Sequence, residues 1–261
     1  MDVDRASVEQ ALARAGCISP VEEADALFDA AGNDPTALVS MLERRIRGEP
    51  LPWITGSIRF CGLKVRVAPG VYVPRWQTEP LARLAASFLP PDGVAVDLCT
   101  GAGAVAMVLA SAAPDAQVFA TDVDPVAVAC ARTNDVDALE GVLDEPLPEA
   151  IEGVVDVLTA VPPYVPSGEL RFLPRDVQDH EPTAALDGGV DGTDVLAEIV
   201  RRSPRWLRPG GSIVLELGGD QAVALGSGLR EAGFDEPEIL SDAEGDARGL
   251  RARHAGPGQP A

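Results

Sequence analysis

Three short stretches hold the residues whose types and spacing could do chemistry: Asp97-Leu98-Cys99-Thr100-Gly101-Ala102-Gly103, Asp122-Val123-Asp124 and Val161-Pro162-Pro163-Tyr164. In the first, an acid precedes a Gly-x-Gly turn. Glycines there let backbone approach a ligand closely, and a helix starting directly afterwards offers free N–H groups. By itself such a turn says little, because dinucleotide-binding domains and many empty turns share it. The second acid sharpens the reading. Asp122 stands 25 positions after Asp97 at the end of the next apolar run, where a carboxylate can accept both ribose hydroxyls of a nucleoside. Asp124 is second for that role and is equally well explained as the cap of a helix opening at Pro125. In the third stretch a double proline followed by an aromatic makes a stiff, extended turn whose carbonyls are not claimed by ladder bonds. Such a turn can hold an amide or amine nitrogen between a backbone oxygen and an aromatic face.

These stretches need a scaffold that brings strand ends together, and the pattern around them supplies one. From about Leu81 onward strand and helix patterns alternate, the signature of a mostly parallel sheet covered on both faces. Strands are predicted over 94–98, 118–121, 154–158 and 212–217, with helices over 104–112, 125–133, 195–206 and 221–232. The segments near Glu238-Ile239-Leu240 and Leu250-Arg251-Ala252-Arg253 read as a closing hairpin. Upstream, helical periodicity in Val8, Ala11, Leu12 and Ala15, then Ala24, Leu27 and Phe28, then Leu38, Met41, Leu42 and Ile46 predicts three or four short helices within residues 1–50. Ser7 with Gln10 reads as a capping pattern for the first of them. Ile58-Arg59-Phe60 and Leu63-Lys64-Val65-Arg66-Val67 alternate around Cys61-Gly62 and predict a β-hairpin joining the two modules.

Composition narrows the classes of partner. At 261 residues the chain has room for one α/β domain and a small accessory one. Asp and Glu outnumber Lys and Arg by 41 to 21, for a formal charge of −20, which opposes a nucleic-acid partner held through phosphates. The start, Met1-Asp2-Val3-Asp4-Arg5, lacks a signal peptide's basic and apolar regions, and no apolar run approaches the ~20 residues of a membrane span. A cytoplasmic protein without membrane association is the expectation. Cys17, Cys61, Cys99 and Cys130 stand far apart with no C-x-x-C pair, so they are read as reduced and buried, with no metal site.

With those residues in place the sequence resembles the HemK/PrmC-type protein-glutamine N-methyltransferases, enzymes that methylate a glutamine side-chain amide in peptide-chain release factors. The resemblance runs over most of the chain. It covers Pro69-Gly70-Val71-Tyr72-Val73-Pro74-Arg75 with Thr78-Glu79, Asp97 to Gly103, Pro162-Pro163-Tyr164-Val165-Pro166, Asp179-His180-Glu181-Pro182, and the long run Ala185-Leu186-Asp187-Gly188-Gly189-Val190-Asp191-Gly192. It implies a Rossmann-like class I methyltransferase fold, α/β with a mostly parallel, doubly wound sheet, divided into a helical substrate-docking domain (1–50), a hairpin linker (51–80) and a methyltransferase domain (81–255). It also implies S-adenosylmethionine as cofactor and a protein substrate carrying the target glutamine, such as a translation factor or ribosomal protein.

Carried over residue by residue, the resemblance gives Val161, Pro162, Pro163 and Tyr164 the catalytic loop, with the Pro162 carbonyl accepting from the substrate amide and Tyr164 packing against it. Asp97, Thr100, Gly101, Gly103, Asp122 and Asp144 fall to the cofactor: Gly101 and Gly103 beside its methionine end, Asp97 toward its amino group directly or through water, Asp122 on the ribose. Arg75 and Glu79 either order the edge of the site or form a structural pair, and Asp179-His180-Glu181-Pro182 fixes a loop over it, with His180 not acting as a base.

The sequence also departs from the family pattern. The loop in that family begins with Asn, whose side-chain oxygen accepts one amide hydrogen while the next carbonyl accepts the other; here Val161 stands in its place. Valine accepts nothing, and an unpaired buried N–H costs roughly 1–3 kcal/mol, about ten- to hundredfold in rate if felt fully in the transition state. Cys99 replaces a Gly, the Asn134–Leu147 segment is short, and Val142 replaces an adenine-contacting Asp, for which Asp144 is the substitute. A protein-glutamine N-methyltransferase is the leading expectation. The alternative is a catalytically degenerate relative that binds cofactor or a partner protein.

Overall fold

The computed structural model describes residues 4–256. The reading of Met1-Asp2-Val3 as a start without a leader therefore falls outside the described residues. At the N-terminal side lie four helices, α1 (Arg5–Arg14), α2 (Pro20–Ala31), α3 (Pro35–Ile46) and α4 (Leu51–Thr55). Their apolar faces meet in one cluster of Val8, Leu12, Ala24, Leu27, Leu38 and Ile54, as the period of the sequence requires. Asp34 caps α3 by accepting from the Thr36 and Ala37 amides at 2.9 and 3.1 Å. At α1 the cap is Asp4, whose carboxylate accepts from the Ser7 N–H at 2.8 Å; the helix thus opens one turn earlier than a Ser7–Gln10 box would place it. Helix α4 lies past residue 50 yet shares this cluster through Ile54, so the helical packing extends into the stretch read as linker.

The hairpin forms as expected, β1 (Ser57–Phe60) against β2 (Leu63–Arg66), with Ile58 opposite Val65. Beyond it comes α5 (Glu79–Phe88), then β3 (Val94–Leu98), α6 (Ala104–Ala112), β4 (Gln117–Asp122), α7 (Pro125–Thr133), β5 (Asp137–Glu140), β6 (Val155–Ala160), α8 (Arg175–His180), α9 (Asp194–Arg202), β7 (Leu207–Glu216), α10 (Gln221–Glu231), β8 (Glu238–Ser241) and β9 (Ala247–Arg253). The seven-stranded sheet runs β5-β4-β3-β6-β7-β9-β8, parallel as far as β7 and antiparallel where β9 joins. Helices α5 and α8 and strand β5 were not anticipated from the sequence pattern, and the ten-residue β7 is longer than the apolar run 212–217 because it carries Pro209-Gly210-Gly211 within it.

The two faces of the sheet bury separate clusters. One holds Phe60, Val65 and Leu109 with the helices α5 and α6, the other Leu196, Ile199, Trp206 and Leu229 from the opposite side. Strand β6 is buried along its whole length, the mark of a central parallel strand. Strand order reverses between β3 and β6, and in such sheets a ligand crevice opens at the carboxyl ends of the strands flanking that switch point. The three chemistry-bearing stretches all lie there: Asp97 near the tip of β3, Asp122 at the tip of β4 and Val161 directly after β6.

Candidate active site

A cavity of about 780 Å³ occupies this crevice, within the range of a small-ligand site. Its wall includes Asp97, Cys99, Thr100, Gly101 and Asp122 on one part, and Val161 and Pro163 with Phe60, Tyr72, Pro74 and Thr78 on another.

The glycine turn is built from inside the fold outward. Asp97 is fully buried, with Oδ2 accepting from the Thr100 hydroxyl at 2.6 Å and Oδ1 from the Thr159 hydroxyl at 2.7 Å. Burial pushes its carboxyl up to about 6, with the two hydroxyls pulling the other way. Asp122 accepts from the Gly101 N–H at 2.8 Å and from the Asp124 N–H at 3.0 Å. Each carboxylate oxygen retains a free lone pair for a further donor. Burial raises Asp122 above the usual carboxylate range against these two amides. Gly101, at φ +56°, has open space where a Cβ would stand, leaving the backbone approachable. Gly103 is glycine for another reason. It sits at φ +82° off the wall, and a Cβ there would press on Val136 Cγ2 at 2.9 Å. Its smallness serves close packing against Ala131 and Val136, and of the two glycines it is Gly101 that lines the cavity.

Asp124 caps α7, accepting from Val126 N–H at 2.8 Å, and also reaches the wall, so both readings of it coexist. Asp144 is a correction. It is buried away from the cavity, with Oδ1 facing Arg202 at 3.0 Å and Oδ2 accepting from Trp206 Nε1 at 2.9 Å. Its two oxygens tie Arg202 of α9 and Trp206, just before β7, to the segment after β5. The residues on the wall here are Val123, Val142 and Leu143, an apolar surface of the kind a planar base packs against.

In the loop after β6, Val161 and Pro163 face the cavity while Pro162 is buried between them. Tyr164, read as packing on the substrate, instead turns behind the wall: its hydroxyl donates to Glu216 Oε1 at 3.0 Å and its carbonyl accepts from Gln221 Nε2 at 2.7 Å. The Gly-rich run accounts for the loop's position. Val165 N–H donates to the Leu186 carbonyl, Gly188 N–H to Val165 and Ser167 N–H to Gly189. A Cβ on Gly188 would meet the Pro163 carbonyl at 2.7 Å and Tyr164 Cα at 2.8 Å. Glycine is required because two backbones touch.

The Arg–Glu pairing at the edge differs from the expected one. Arg75 bonds Glu181 at 2.5 Å and stacks over the Tyr72 ring at 4.9 Å, whereas Glu79 pairs with Arg83 at 2.6 Å. Glu181 also accepts from the Val73 N–H at 3.2 Å, which fastens the Asp179-His180-Glu181-Pro182 loop over the cavity. His180 packs edge-on against Trp53 at 6.3 Å, off the wall, and so contributes to the loop's seat. Two site-building residues escaped the sequence reading, Thr159 and Glu216, whereas Glu181 stands within the Asp179–Pro182 run read as fixing the loop. Both carried a signal: a hydroxyl in the apolar run of β6 and an acid in that of β7, each with a partner at a strand end.

The comparisons with known proteins fit this geometry. A model of the methyltransferase small domain matches residues 62–169. The chain is 36% identical over 219 residues to the release factor glutamine methyltransferase of Geobacter sulfurreducens, covering 82% of this chain and 76% of that one. It is 42% identical over 193 residues to the protein of that name from Mycolicibacterium smegmatis, covering 70% and 68%. The chain belongs to the release factor glutamine methyltransferase family. It is an S-adenosylmethionine-dependent protein-glutamine N-methyltransferase. Among solved structures, a methyltransferase from Pyrococcus furiosus shares the fold at 21% identity, with a TM-score of 0.50 over 75% of this chain and 90% of that one.

The residues present suit that cofactor. A buried carboxylate that a cation would favour (Asp97), a second positioned for a diol (Asp122) and an open glycine (Gly101) line one cavity. The four cysteines are free thiols. Among the described residues no helix is long and apolar enough to cross a membrane, and no cluster of three metal-binding side chains occurs.

Proposed function

We propose that the target is a glutamine of a peptide-chain release factor, methylated on its side-chain amide in the cytoplasm, and that helices α1–α4 help to dock that protein. Family membership supports the substrate class. The observation that carries the site assignment is that Asp97, Asp122 and the Val161–Pro163 loop share one cavity at the switch point of the sheet.

In this reading S-adenosylmethionine supplies the electrophilic methyl group. Asp97, ionised above pH about 6, faces the ammonium; Asp122 takes the ribose hydroxyls; Val123, Val142 and Leu143 pack against the adenine. The Pro162 carbonyl, to which no backbone N–H donates among the described residues, accepts one hydrogen of the amide. Pro163 and Phe60 exclude water around the nitrogen. Catalysis is then mainly orientation in a dry pocket. The relatives' shared activity favours a working enzyme over a degenerate binder.

Calorimetric titration with S-adenosylmethionine tests the cofactor half of this reading. Wild type should bind, and Asp122→Ala should lose at least tenfold in affinity through the two lost charge-assisted hydrogen bonds, each worth about 1.5–3 kcal/mol. Equal binding by both would remove Asp122 from the site.

A further inference from the structure

Val161 gives the cavity wall an unusual chemistry at the point where a substrate amide must sit. It follows the tip of β6, faces the cavity and packs against the same apolar cluster as Phe60 and Val71. Pro163 and Pro74, also on the wall, add no side-chain acceptor. Thr78 lies there too, but its hydroxyl oxygen is enclosed on the protein side, where Glu216 is the neighbouring carboxyl. Within the loop the acceptors that remain are backbone carbonyls; Pro162 lies buried between the wall residues Val161 and Pro163, and no backbone N–H among the described residues donates to its carbonyl.

A primary amide presents two in-plane N–H groups. One carbonyl satisfies one of them, and the other faces valine with its hydrogen-bonding capacity lost, a penalty that exceeds the gain from making the bond. An amide that already bears one methyl places that methyl against Val161 and its single N–H on the carbonyl. Every polar group is then paired and the apolar wall is filled.

We propose that this enzyme accepts N-methylglutamine as well as glutamine and so forms N,N-dimethylglutamine. In the second transfer the amide nitrogen forms a bond to the incoming methyl carbon while the carbon–sulfur bond of the sulfonium breaks. The bonding pair stays on sulfur, giving S-adenosylhomocysteine, and the one remaining amide proton leaves to water past the accepting carbonyl. The proposal rests on the glutamine reading of the loop.

The test uses the full chain and two synthetic peptides spanning the methylated glutamine of a release factor, one unmodified and one carrying N-methylglutamine. Their affinities are measured by calorimetry without cofactor, and the products with S-adenosylmethionine are read by mass spectrometry. Wild type should bind the methylated peptide at least as tightly as the unmodified one and convert it to the dimethyl form. Val161→Asn, restoring an acceptor, should shift the binding preference toward the unmodified peptide by about tenfold or more. Wild type that methylates the unmodified peptide but binds the methylated one tenfold or more weakly and yields no dimethyl product would overturn the proposal. Wild type that neither binds nor methylates either peptide would overturn the glutamine reading beneath it. The wild-type comparison decides the matter even if Val161→Asn fails to fold.

Discussion

The hydroxyl of Tyr164 lies 3.0 Å from Glu216 Oε1 and anchors the Val161–Tyr164 loop to the end of β7. Glu216 is buried, and its other oxygen has no hydrogen-bond donor. Tyr164→Phe would remove a donor from the buried acid at nearly constant volume, so the variant should be less stable by about 1–3 kcal/mol. Denaturant titration reads this as a lower midpoint at unchanged slope. A variant as stable as wild type would show that the bond contributes nothing to the loop's seat.

Asp97 couples stability to cofactor binding in opposite directions. Its carboxyl is raised from 3.8 to about 6 by burial, so the stability it contributes is fully present below the unfolded value and is lost as pH rises through about 6. A shift of about two pKa units corresponds to roughly 3 kcal/mol. Asp97→Asn should therefore stabilise the cofactor-free protein above pH 6 by up to about that amount, while weakening S-adenosylmethionine binding. Wild-type affinity for the cofactor should itself fall as pH drops through about 6. Thermal melts and calorimetry across this range check both halves, and an unchanged affinity on the acid side would exclude an ionised Asp97 as the ammonium partner.

Cys99 sits at φ +54°, a left-handed conformation that strains a side chain with a Cβ by about 1–2 kcal/mol. This gives a physical reason for the family's glycine at that position. Cys99→Gly should raise the melting temperature modestly, because relief of strain is partly offset by the greater freedom of glycine in the unfolded chain. A fall in stability would mean that the thiol's packing outweighs the strain.

Much of the fold was legible because its strands and helices follow clear periods. The helices over 104–112 and 125–133 coincide with the observed α6 and α7, and the closing hairpin pairs β8 with β9. Strand β5 and helix α8 were missed because four and six residues give a period too little room to declare itself. In the site, Asp97, Asp122 and Val161 were legible from their places at strand ends. Asp144 was not, since nothing in the local sequence announces Arg202 and Trp206, which arrive from distant parts of the chain. Gly103 shows the same limit. Its spacing resembles a ligand-binding glycine, yet Val136 determines its size.

Gly188 holds the Val161–Tyr164 loop by close backbone contact, with the Pro163 carbonyl 2.7 Å from where a Cβ would stand. Gly188→Ala should displace the loop and lower kcat by about a hundredfold, as an ångström of misplacement does in an oriented reaction, while S-adenosylmethionine affinity stays within about twofold because Asp97 and Asp122 lie on other strands. Steady-state kinetics beside calorimetry separates the two, and retained turnover would show that the loop tolerates the shift.

The central claim, that this cavity methylates a protein glutamine, is tested most directly by incubating the full chain with a purified bacterial release factor and methyl-labelled S-adenosylmethionine, then mapping the label by mass spectrometry. Label is expected on the side-chain amide of one glutamine, lost when that glutamine is replaced and reduced at least tenfold by Asp122→Ala. Label on another residue type, or transfer that Asp122→Ala leaves untouched, would contradict it.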